Sequence, residues 1–308
     1  MKKILGQSPQ ITHLLRTIPM IAASEASVLI YGETGTGKEL LAQALHSESR
    51  RRDKPLVVIN CAALPSDGIE IDLFGRANAL GEIEHRGRLL AAEGSTIFFD
   101  EVDALPLSVQ AKVLRFLEAG ECQLQGSHKL HLADVRIVAA TSANLQQEVT
   151  AGRFRADLFY RLQVVPIEMP VLRECRDDIT LLLRHYTREF SGDNAVVRYS
   201  KTIEHCLLTY AWPGNVRELK NFCQRMALLY PGKVLVEEDL PPEMLPEVTA
   251  SHHVFTLPPT GIDLARVELD LIEQALELAA GNRSRAARLL GISRDTLLYR
   301  MQKYSLSP

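Results

Sequence analysis

The sequence predicts an α/β protein: a largely parallel sheet with helices on both faces, then a smaller helical unit, and an all-α domain at the C-terminus. Three observations lead to this prediction. Within the first 170 residues, strand-like apolar runs alternate with helical patterns. From Arg173 to Tyr230 the pattern is wholly helical. The last part of the chain contains short helical segments around a glycine turn.

The predicted strands are apolar on both faces, as the strands of a parallel sheet require. They cover residues 26–31, 56–60, 96–100, 135–141 and 164–168. Helices are predicted at residues 39–46, 103–118, 178–190, 201–210 and 215–229. We therefore expect an α/β core over residues 1–170 and a helical lid over residues 171–240.

A glycine-rich loop follows the first predicted strand. Its glycines let successive N–H groups turn toward a polyanion, and its lysine can reach the β- and γ-phosphates. The loop reads GETGTGKE and consists of Gly32, Glu33, Thr34, Gly35, Thr36, Gly37, Lys38 and Glu39. This pattern predicts a site for a nucleoside triphosphate. Glu39 stands where a Ser or Thr normally holds Mg²⁺, so the metal must depend on other groups.

Two carboxylates, Asp100 and Glu101, end the third predicted strand. Charges at the carboxyl end of such a strand lie where α/β sheets bind ligands. We expect Asp100 to hold Mg²⁺, directly or through water, and Glu101 to orient and deprotonate the attacking water. The alternative is that both acids only cap the helix that follows.

The composition bounds the class of protein. Of the 308 residues, 46% are apolar and 24% are charged, which is typical of a globular protein with more than one domain. A net charge of −3 argues against nucleic-acid binding by the whole surface. The five cysteines lack metal-ligand spacing. Because we find neither an apolar run of membrane-spanning length nor a signal sequence, we expect a cytoplasmic protein without a membrane partner.

The C-terminal residues 263–308 match a helix-turn-helix. An amphipathic helix over residues 263–280 is followed by a short helix that Ser284 begins, a turn at Gly291, and a third helix from Ser293 through Lys303. From Gly281 to Lys303 there are six Arg or Lys residues and one acid, a pattern typical of DNA-backbone binding. The candidate DNA contacts are Ser284, Arg285, Arg294, Asp295, Thr296, Tyr299, Arg300 and Lys303. A basic face on a small protein-binding bundle is the alternative.

A linker is predicted at residues 241–262, because five prolines occur there without a periodic apolar pattern. The pair His252 and His253 could bind a metal, but a solvated pair is the favoured interpretation.

With these parts placed, the chain resembles the bacterial enhancer-binding proteins, AAA+ ATPases that activate sigma-54 RNA polymerase. The likeness covers nearly the whole chain, and its C-terminal part resembles the Fis-type DNA-binding domain. The motifs that carry it are GETGTGKE, VINCAA at 58–63, LFG at 73–75, IFFDE at 97–101, FRADLFYRL at 154–162 and WPGNVRELKN at 212–221.

The resemblance implies ATP and Mg²⁺ as ligands and assigns roles to further residues. Asn60 would be the switch that holds the catalytic Glu101, and Arg217 would be the sensor in the lid. Arg155 and Arg161 would be arginine fingers that reach the neighbouring subunit's γ-phosphate, which implies a ring, expected to be a hexamer.

The chain departs from the family pattern in the loop that touches the sigma factor. The family's Gly-Ala-Phe-Thr-Gly-Ala loop should fall between Gly75 and Gly87, where this chain has RANALGEIEHR. This stretch lacks the aromatic-Thr-Gly tip and is about three residues shorter than the family's usual spacing. The sequence therefore predicts that the protein does not remodel sigma-54 holoenzyme.

The sensor strand also departs, since Ser142 stands where the family usually has Asn. Asn144, two residues on, is not expected to replace it. We expect ATP binding with weakened, residual hydrolysis.

The leading functional hypothesis is a DNA-binding transcriptional regulator whose AAA+ domain binds nucleotide and self-associates. It would act at promoters of the ordinary sigma factor, as a repressor or as an activator that contacts RNA polymerase, and its double-stranded DNA site is expected to be an inverted repeat. One alternative is a sigma-54-dependent activator ATPase with a degenerate loop. Another is a co-regulator that forms mixed rings with a loop-bearing paralogue. The chain enters the ATPase core directly after Met1, so we expect either a protein without a built-in receiver or part of a longer one.

Overall fold

The computed structural model describes residues 3–64, 68–192, 195–245, 261–279, 281–304 and 306. The chain divides into two compact units, Met1–Pro246 and Glu247–Pro308. Most of the predicted linker, with His252 and His253, lies outside the described residues. Among the helices that the structure describes, none has both the length and the apolar character that a membrane crossing needs.

The described residues form eleven strands and thirteen α-helices. The strands are β1 Val28–Tyr31, β2 Val57–Asn60, β3 Gly75–Ala77, β4 Ile83–Arg86, β5 Thr96–Asp100, β6 Glu121–Gln123, β7 Leu130–Leu132, β8 Arg136–Thr141, β9 Val165–Glu168, β10 Arg198–Tyr199 and β11 Val234–Leu235. The helices are α1 Pro9–Ala22, α2 Lys38–Ser47, α3 Ile69–Phe74, α4 Arg88–Ala91, α5 Leu107–Ala119, α6 Leu145–Thr150, α7 Ala156–Leu162, α8 Arg176–Ser191, α9 Lys201–Thr209, α10 Asn215–Leu229, α11 Leu264–Leu278, α12 Arg283–Leu289 and α13 Arg294–Lys303.

The core sheet is parallel throughout, with the strand order β2-β5-β8-β1-β9. The five predicted strands and the predicted α/β class are therefore confirmed. Because the strands run in one direction, their carboxyl ends share one edge. At that edge Asn60 lies opposite Asp100, and Tyr31 lies opposite Thr141. Ligands of α/β sheets bind outside this edge.

Successive residues of the central strand β5 face two different apolar layers. Ile97 and Phe99 join one cluster with residues of α3, α5 and α7, whereas Phe98 joins a second cluster with residues of α1 and α2. All three side chains are fully buried. Burying one such side chain contributes about 1.5–3 kcal/mol, so the two layers fix the position of the strand's carboxyl end.

The helix after β5 begins later than predicted. Residues Val102–Ala104 form a 3₁₀ turn, and α5 starts only at Leu107. Pro106 explains the difference, since the residue before a proline avoids the α conformation, and Leu105 is extended with ψ = 132°.

The lid, α8 to α10, packs around its own apolar cluster, in which Trp212 is completely buried. The three predicted lid helices are confirmed. A buried carboxylate of α8, Asp178, joins the lid to the core by accepting hydrogen bonds from Ser8 N (2.9 Å) and Ser8 Oγ (2.5 Å). Since Ser8 is the N-cap of α1, the beginning of the core is tied directly to the lid.

Strands β3 and β4 form a short antiparallel hairpin where the sequence departs from the family's loop. Its base is closed tightly: a Cβ added to Gly87 would lie 2.3 Å from Gly75 N, so the two backbones touch. The hairpin is also hydrogen-bonded to the segment after β6, through Ala77 N to Gln125 O (2.9 Å) and Gln125 N to Gly75 O (3.0 Å).

The tip of this hairpin is closed by one asparagine. Asn78 Oδ1 accepts hydrogen bonds from Leu80 N (2.9 Å) and Glu82 N (3.0 Å). Asn78 N donates to Glu82 O at 2.9 Å. The chain therefore reverses direction within a few residues. Leu80 is the most exposed large apolar side chain of the hairpin, with 83% of its surface exposed.

The C-terminal unit consists of α11, α12 and α13 around a small apolar core that includes Ile272, Leu297 and Met301. This confirms the predicted all-α domain. Ser293 caps α13 as expected, by accepting a hydrogen bond from Thr296 N at 3.1 Å.

The start of α12 was predicted wrongly. It begins at Arg283, because Asn282 Oδ1 accepts a hydrogen bond from Arg285 N at 3.1 Å and serves as the cap. Ser284 lies inside the first turn and does not begin the helix.

Candidate functional site

A cavity of about 700 Å³ lies at the carboxyl edge of the sheet, between the core and the lid. Its volume falls within the usual range of small-molecule sites. The predicted nucleotide residues that line it are Thr34, Gly35, Gly37, Lys38, Glu39, Asp100, Glu101 and Arg217. Gly32, Glu33 and Thr36 belong to the same loop but not to the lining of this cavity. Most of the predicted nucleotide residues therefore lie on one cavity, but about half of the residues that line it, Lys220 among them, were not predicted.

The loop between β1 and α2 depends on left-handed glycines. Gly35 has φ = +83° and Gly37 has φ = +101°, values that other residues rarely adopt. Gly37 is the N-cap of α2, so the helix begins at Lys38, on the cavity wall. The unpaired N–H groups and the positive dipole end of a helix N-terminus suit an anion.

Lys38 is held inside the loop by hydrogen bonds from its Nζ to Gly32 O (2.7 Å) and Glu33 O (3.2 Å). Burial lowers the pKa of Lys38, while the nearby Asp100 and Glu101 oppose that shift. The cation and the two acids thus lie on the same cavity, which is the charge arrangement that a phosphate group with a divalent cation needs.

The two predicted acids end β5 at the cavity. Asp100 is the last residue of the strand, and Glu101 follows with φ = +52°. A left-handed conformation is strained for a residue with a side chain, and such strain is concentrated at functional sites.

Asn60 does not make the contact that the resemblance implies. Its Oδ1 accepts hydrogen bonds from Ala62 N and Ala63 N, both at 3.1 Å, and caps the 3₁₀ turn that follows β2. Within the described residues no hydrogen bond joins Asn60 to Glu101, although Asn60 lies opposite Asp100 in the sheet. To hold Glu101, the Asn60 side chain would first have to break these two capping hydrogen bonds.

At the end of β8, Thr141 Oγ1 donates to Asp103 Oδ1 at 2.5 Å. Ser142 follows the strand and is exposed. Asn144 Oδ1 accepts from two backbone N–H groups at the start of α6. The Asn144 oxygen therefore serves as a helix cap, a use that agrees with the expectation that it does not replace the missing sensor asparagine.

Two lid residues that the sequence reasoning missed contact the phosphate loop. Arg173 pairs with the Glu33 carboxylate through two hydrogen bonds of 2.8 and 3.0 Å. Asn215 Nδ2 donates to Glu33 Oε2 at 3.1 Å. The motif at 212–221 contains Asn215, but nothing in its spacing indicates that its partner lies in the loop about 180 residues earlier.

Gly35→Ala tests how closely the lid approaches the loop. A Cβ at Gly35 would lie 2.2 Å from Gly214 O, and φ = +83° adds strain. We expect the free energy of unfolding to fall by about 2–4 kcal/mol, measured by denaturant titration. The matched control is Gly152→Ala, where φ is +72° but no atom lies within 4 Å, so only about 1 kcal/mol should be lost. Equal losses in both variants would contradict the close approach.

Arg155 and Arg161 lie outside the cavity of their own chain, at the cap and the last turn of α7. Arg155 pairs with Asp157 (Nη2–Oδ2 2.7 Å), and Arg161 Nη2 donates to Leu117 O at 3.1 Å. Both side chains are exposed. Residues that act on a neighbouring subunit would have to be placed in this way.

In the C-terminal unit, most of the predicted DNA contacts are exposed: Ser284, Arg285, Arg294, Asp295, Tyr299 and Lys303. Thr296 is half-buried, and its hydroxyl bonds to Ser293 Oγ at 2.7 Å. Arg300 is also half-buried and forms an ion pair with Glu268 of α11. Its charge is therefore used within the domain, and the geometry favours a structural role over the predicted DNA contact.

Three family models match the chain in the order of these elements. Residues 4–168 match the sigma-54 interaction domain, residues 173–255 the AAA+ ATPase lid domain, and residues 263–304 the bacterial regulatory protein, Fis family. The first match spans more than half of the chain.

Similar proteins match this chain over nearly its whole length. The transcriptional regulatory protein ZraR of Salmonella typhimurium strain LT2 is 42% identical over 305 residues, which are 97% of this chain and 68% of ZraR. The regulatory protein AtoC of Escherichia coli strain K12 is 40% identical over 314 residues, 99% of this chain and 68% of AtoC. The crystal structure of NtrX from Brucella abortus in complex with ATP has a TM-score of 0.73 at 30% identity and covers 98% of this chain and 69% of NtrX. The parallel-sheet core, the lid, the helix-turn-helix and these matches together show that the chain belongs to the enhancer-binding family of bacterial transcriptional regulators.

Proposed function

We propose that this regulator binds ATP with Mg²⁺, assembles into a ring through its AAA+ core, binds a specific DNA site through α13, and does not remodel sigma-54 RNA polymerase. It would act at promoters of the ordinary sigma factor, as a repressor or by direct contact with the polymerase. The single observation that carries the proposal is the closed β3–β4 hairpin. Genome-wide DNA occupancy, compared with the sigma factor used at each occupied promoter, tests it.

Nucleotide binding is supported by the cavity and by NtrX, which was solved in complex with ATP and in complex with ADP. The backbone of the loop and the N-terminus of α2 would receive the phosphates, with Lys38 and Arg217 among the cationic side chains that line the cavity. Nucleotide binding at a subunit interface would favour the assembled state by its differential affinity for it.

Asp100 is the residue proposed to hold Mg²⁺. In the described ranges, no group of three or more His, Cys, Asp or Glu side chains is arranged as a metal site, so phosphate and water would supply the remaining ligands. When bound, Mg²⁺ would neutralise charge on the β- and γ-phosphates. Glu101 would orient the attacking water and accept its proton.

A ring is supported by the positions of Arg155 and Arg161, which are exposed and do not line the cavity of their own chain. Guanidinium groups that reach into a neighbour's site make hydrolysis depend on assembly, because they stabilise phosphoryl charge only across the interface.

The absence of sigma-54 remodelling is supported by the hairpin between Gly75 and Gly87. An element that inserts into a polymerase complex must extend from the surface, whereas Asn78 closes this turn after a few residues. The pair Arg76–Glu84, with two hydrogen bonds of 2.9 Å, joins its two strands. The hairpin is therefore a compact element with one exposed leucine at its tip.

DNA binding through α13 leads to a test with Arg294. Among the described residues its side chain has no ion-pair partner, so Arg294→Ala should weaken binding about tenfold, without a change in the thermal unfolding midpoint. Arg300→Ala should instead lower that midpoint, because Glu268 loses its partner. Gel shifts with fragments recovered from occupancy experiments measure the first effect, and Arg266→Ala controls for net charge. An unchanged gel shift with Arg294→Ala would exclude α13 as the reading helix.

A dimer is supported by α11, where Leu264, Leu271 and Leu278 are 73%, 49% and 72% exposed. Residues seven apart return to the same side of a helix, so the three leucines form an apolar stripe. Pairing of this stripe with a second copy would place two α13 helices about a two-fold axis, which favours an inverted-repeat site.

The alternatives are separated by measuring ATPase activity against protein concentration. Binding without cooperative turnover supports the proposal. Cooperative turnover by the chain alone would favour a sigma-54 activator with a degenerate loop. ATPase activity only after a loop-bearing paralogue is added would favour mixed rings. The exposed positions of Arg155 and Arg161 would also permit such rings.

A further inference from the structure

We propose that the lid stabilises the carboxylate of Glu33 in the phosphate loop, Arg173 by neutralising its charge and Asn215 by donating a hydrogen bond, so that nucleotide affinity depends on whether the lid contacts the loop. These three residues are called the clasp. The inference rests on the proposed nucleotide binding and adds positioning residues to it.

A carboxylate in a phosphate loop requires explanation. Glu33 lies between Gly32, whose carbonyl binds Lys38, and Thr34, which lines the cavity. With a triphosphate in the cavity, the negative charge of Glu33, next to the lining residue Thr34, would work against binding because like charges repel. The loop therefore binds its ligand well only if Glu33 is paired.

The lid supplies that pairing. The Arg173 guanidinium meets the Glu33 carboxylate with two parallel hydrogen bonds, the geometry that gives the strongest Arg–carboxylate pairs. The Arg173 and Asn215 hydrogen bonds hold the pKa of Glu33 below its usual value, with Arg173 the larger cause. Glu33 is thus an anion whose charge is balanced from outside the loop.

Asn215 is built into this contact. It is completely buried and has φ = +50°, a strained conformation for a residue with a side chain. Its Oδ1 accepts from Leu172 N at 2.9 Å, while its Nδ2 donates to Glu33 Oε2 and, at 3.2 Å, to Thr34 O. The oxygen of the Asn215 amide therefore binds the lid side, and its nitrogen binds the phosphate loop.

Because Arg173 and Asn215 both belong to the lid, a displaced lid would remove both partners of Glu33 together. The bare carboxylate would then repel the phosphates, so a lid that opens would lower the affinity. Reciprocally, a bound nucleotide would favour the seated lid. This effect differs from that of Arg217, which lines the cavity itself, since the clasp acts through the charge of the loop.

The test uses Arg173→Ala, Glu33→Gln and the double variant, with a fluorescent ATP analogue and Mg²⁺ as the probe. Arg173→Ala should weaken binding about tenfold, within the usual range for coupled sites. Glu33→Gln should change it by no more than about twofold, because it removes the repulsive charge along with the pair. The double variant should bind nearly as Glu33→Gln does, which means that removing the carboxylate rescues the loss of the arginine.

Arg76→Ala is the matched control, because it breaks an Arg–Glu pair of the same two-bond geometry and similar exposure, 48% against 45% for the arginine. It should leave affinity unchanged. Thermal unfolding midpoints show that each variant is folded. A double variant as weak as Arg173→Ala would overturn the inference, because the pair would then act only by holding the lid. If the unmodified protein fails to bind the analogue, the proposed nucleotide binding fails and the clasp with it, whereas normal binding by Arg173→Ala overturns the clasp alone.

Discussion

Lys38→Ala is expected to reduce ATP affinity about a hundredfold, since charge-assisted hydrogen bonds to phosphate are worth roughly 1.5–3 kcal/mol each. Lys38 is buried at the start of α2, near Asp100 and Glu101, and it is the one lysine that the loop contains. Titration of the fluorescent ATP analogue measures the loss. Assembly that depends on ATP should disappear with it, as seen by light scattering at matched concentrations.

The control is Lys112→Ala, which removes a lysine that pairs with Glu70 at 2.6 Å outside the cavity. It should bind the analogue normally. Because the Lys38 amino group also bonds to two loop carbonyls, the unfolding midpoint of Lys38→Ala has to be compared with that of the unmodified protein. ATP affinity that survives in a folded Lys38→Ala protein would mean that the cavity is not the nucleotide site.

In a reconstituted transcription assay with sigma-54 RNA polymerase, the protein is expected to give no ATP-dependent transcripts above background. We expect this result because the hairpin between Gly75 and Gly87 turns back at Asn78, and the proposal holds that so short a turn does not engage the promoter complex. An activator that bears the Gly-Ala-Phe-Thr-Gly-Ala loop serves as the positive control on the same template.

A negative result is informative only if the protein binds ATP under the assay conditions, which the analogue titration establishes. Robust transcripts would refute the proposal and restore the activator alternative. Leu80→Ala then tests the contact, because Leu80 is the most exposed large apolar side chain of the hairpin. Loss of transcripts in the Leu80→Ala variant would show that the short hairpin itself contacts the sigma factor.

Local patterns predicted the sheet and the phosphate loop because each depends on neighbouring residues. The apolar run that ends at Asp100 could be assigned as a buried strand, and Gly37–Lys38 as the start of a helix, without any long-range information. The effect of Pro106 on the start of α5 is also local, because a proline keeps the residue before it out of the α conformation.

The contacts that were missed join residues far apart in the sequence. Arg173 and Asn215 lie well over a hundred residues from Glu33, and no periodicity connects them. Similarly, the basic, polar position of Arg300 on α13 predicts a DNA contact, whereas its ion-pair partner Glu268 belongs to another helix. A charged side chain on a helix can contact an external ligand such as DNA, or it can pair with a residue of its own domain. Only the tertiary structure shows which of the two occurs.

The backbone contact between Gly75 and Gly87 also bears on how such regulators diversify. Because the backbones of Gly75 and Gly87 are in contact, the segment between them can become longer or shorter while the helices on either side, α3 and α4, keep their positions. Gain or loss of a polymerase-engaging arm is then a small genetic change with little cost to folding. Relatives that regulate transcription in opposite ways would then differ in this segment and keep an almost identical AAA+ core.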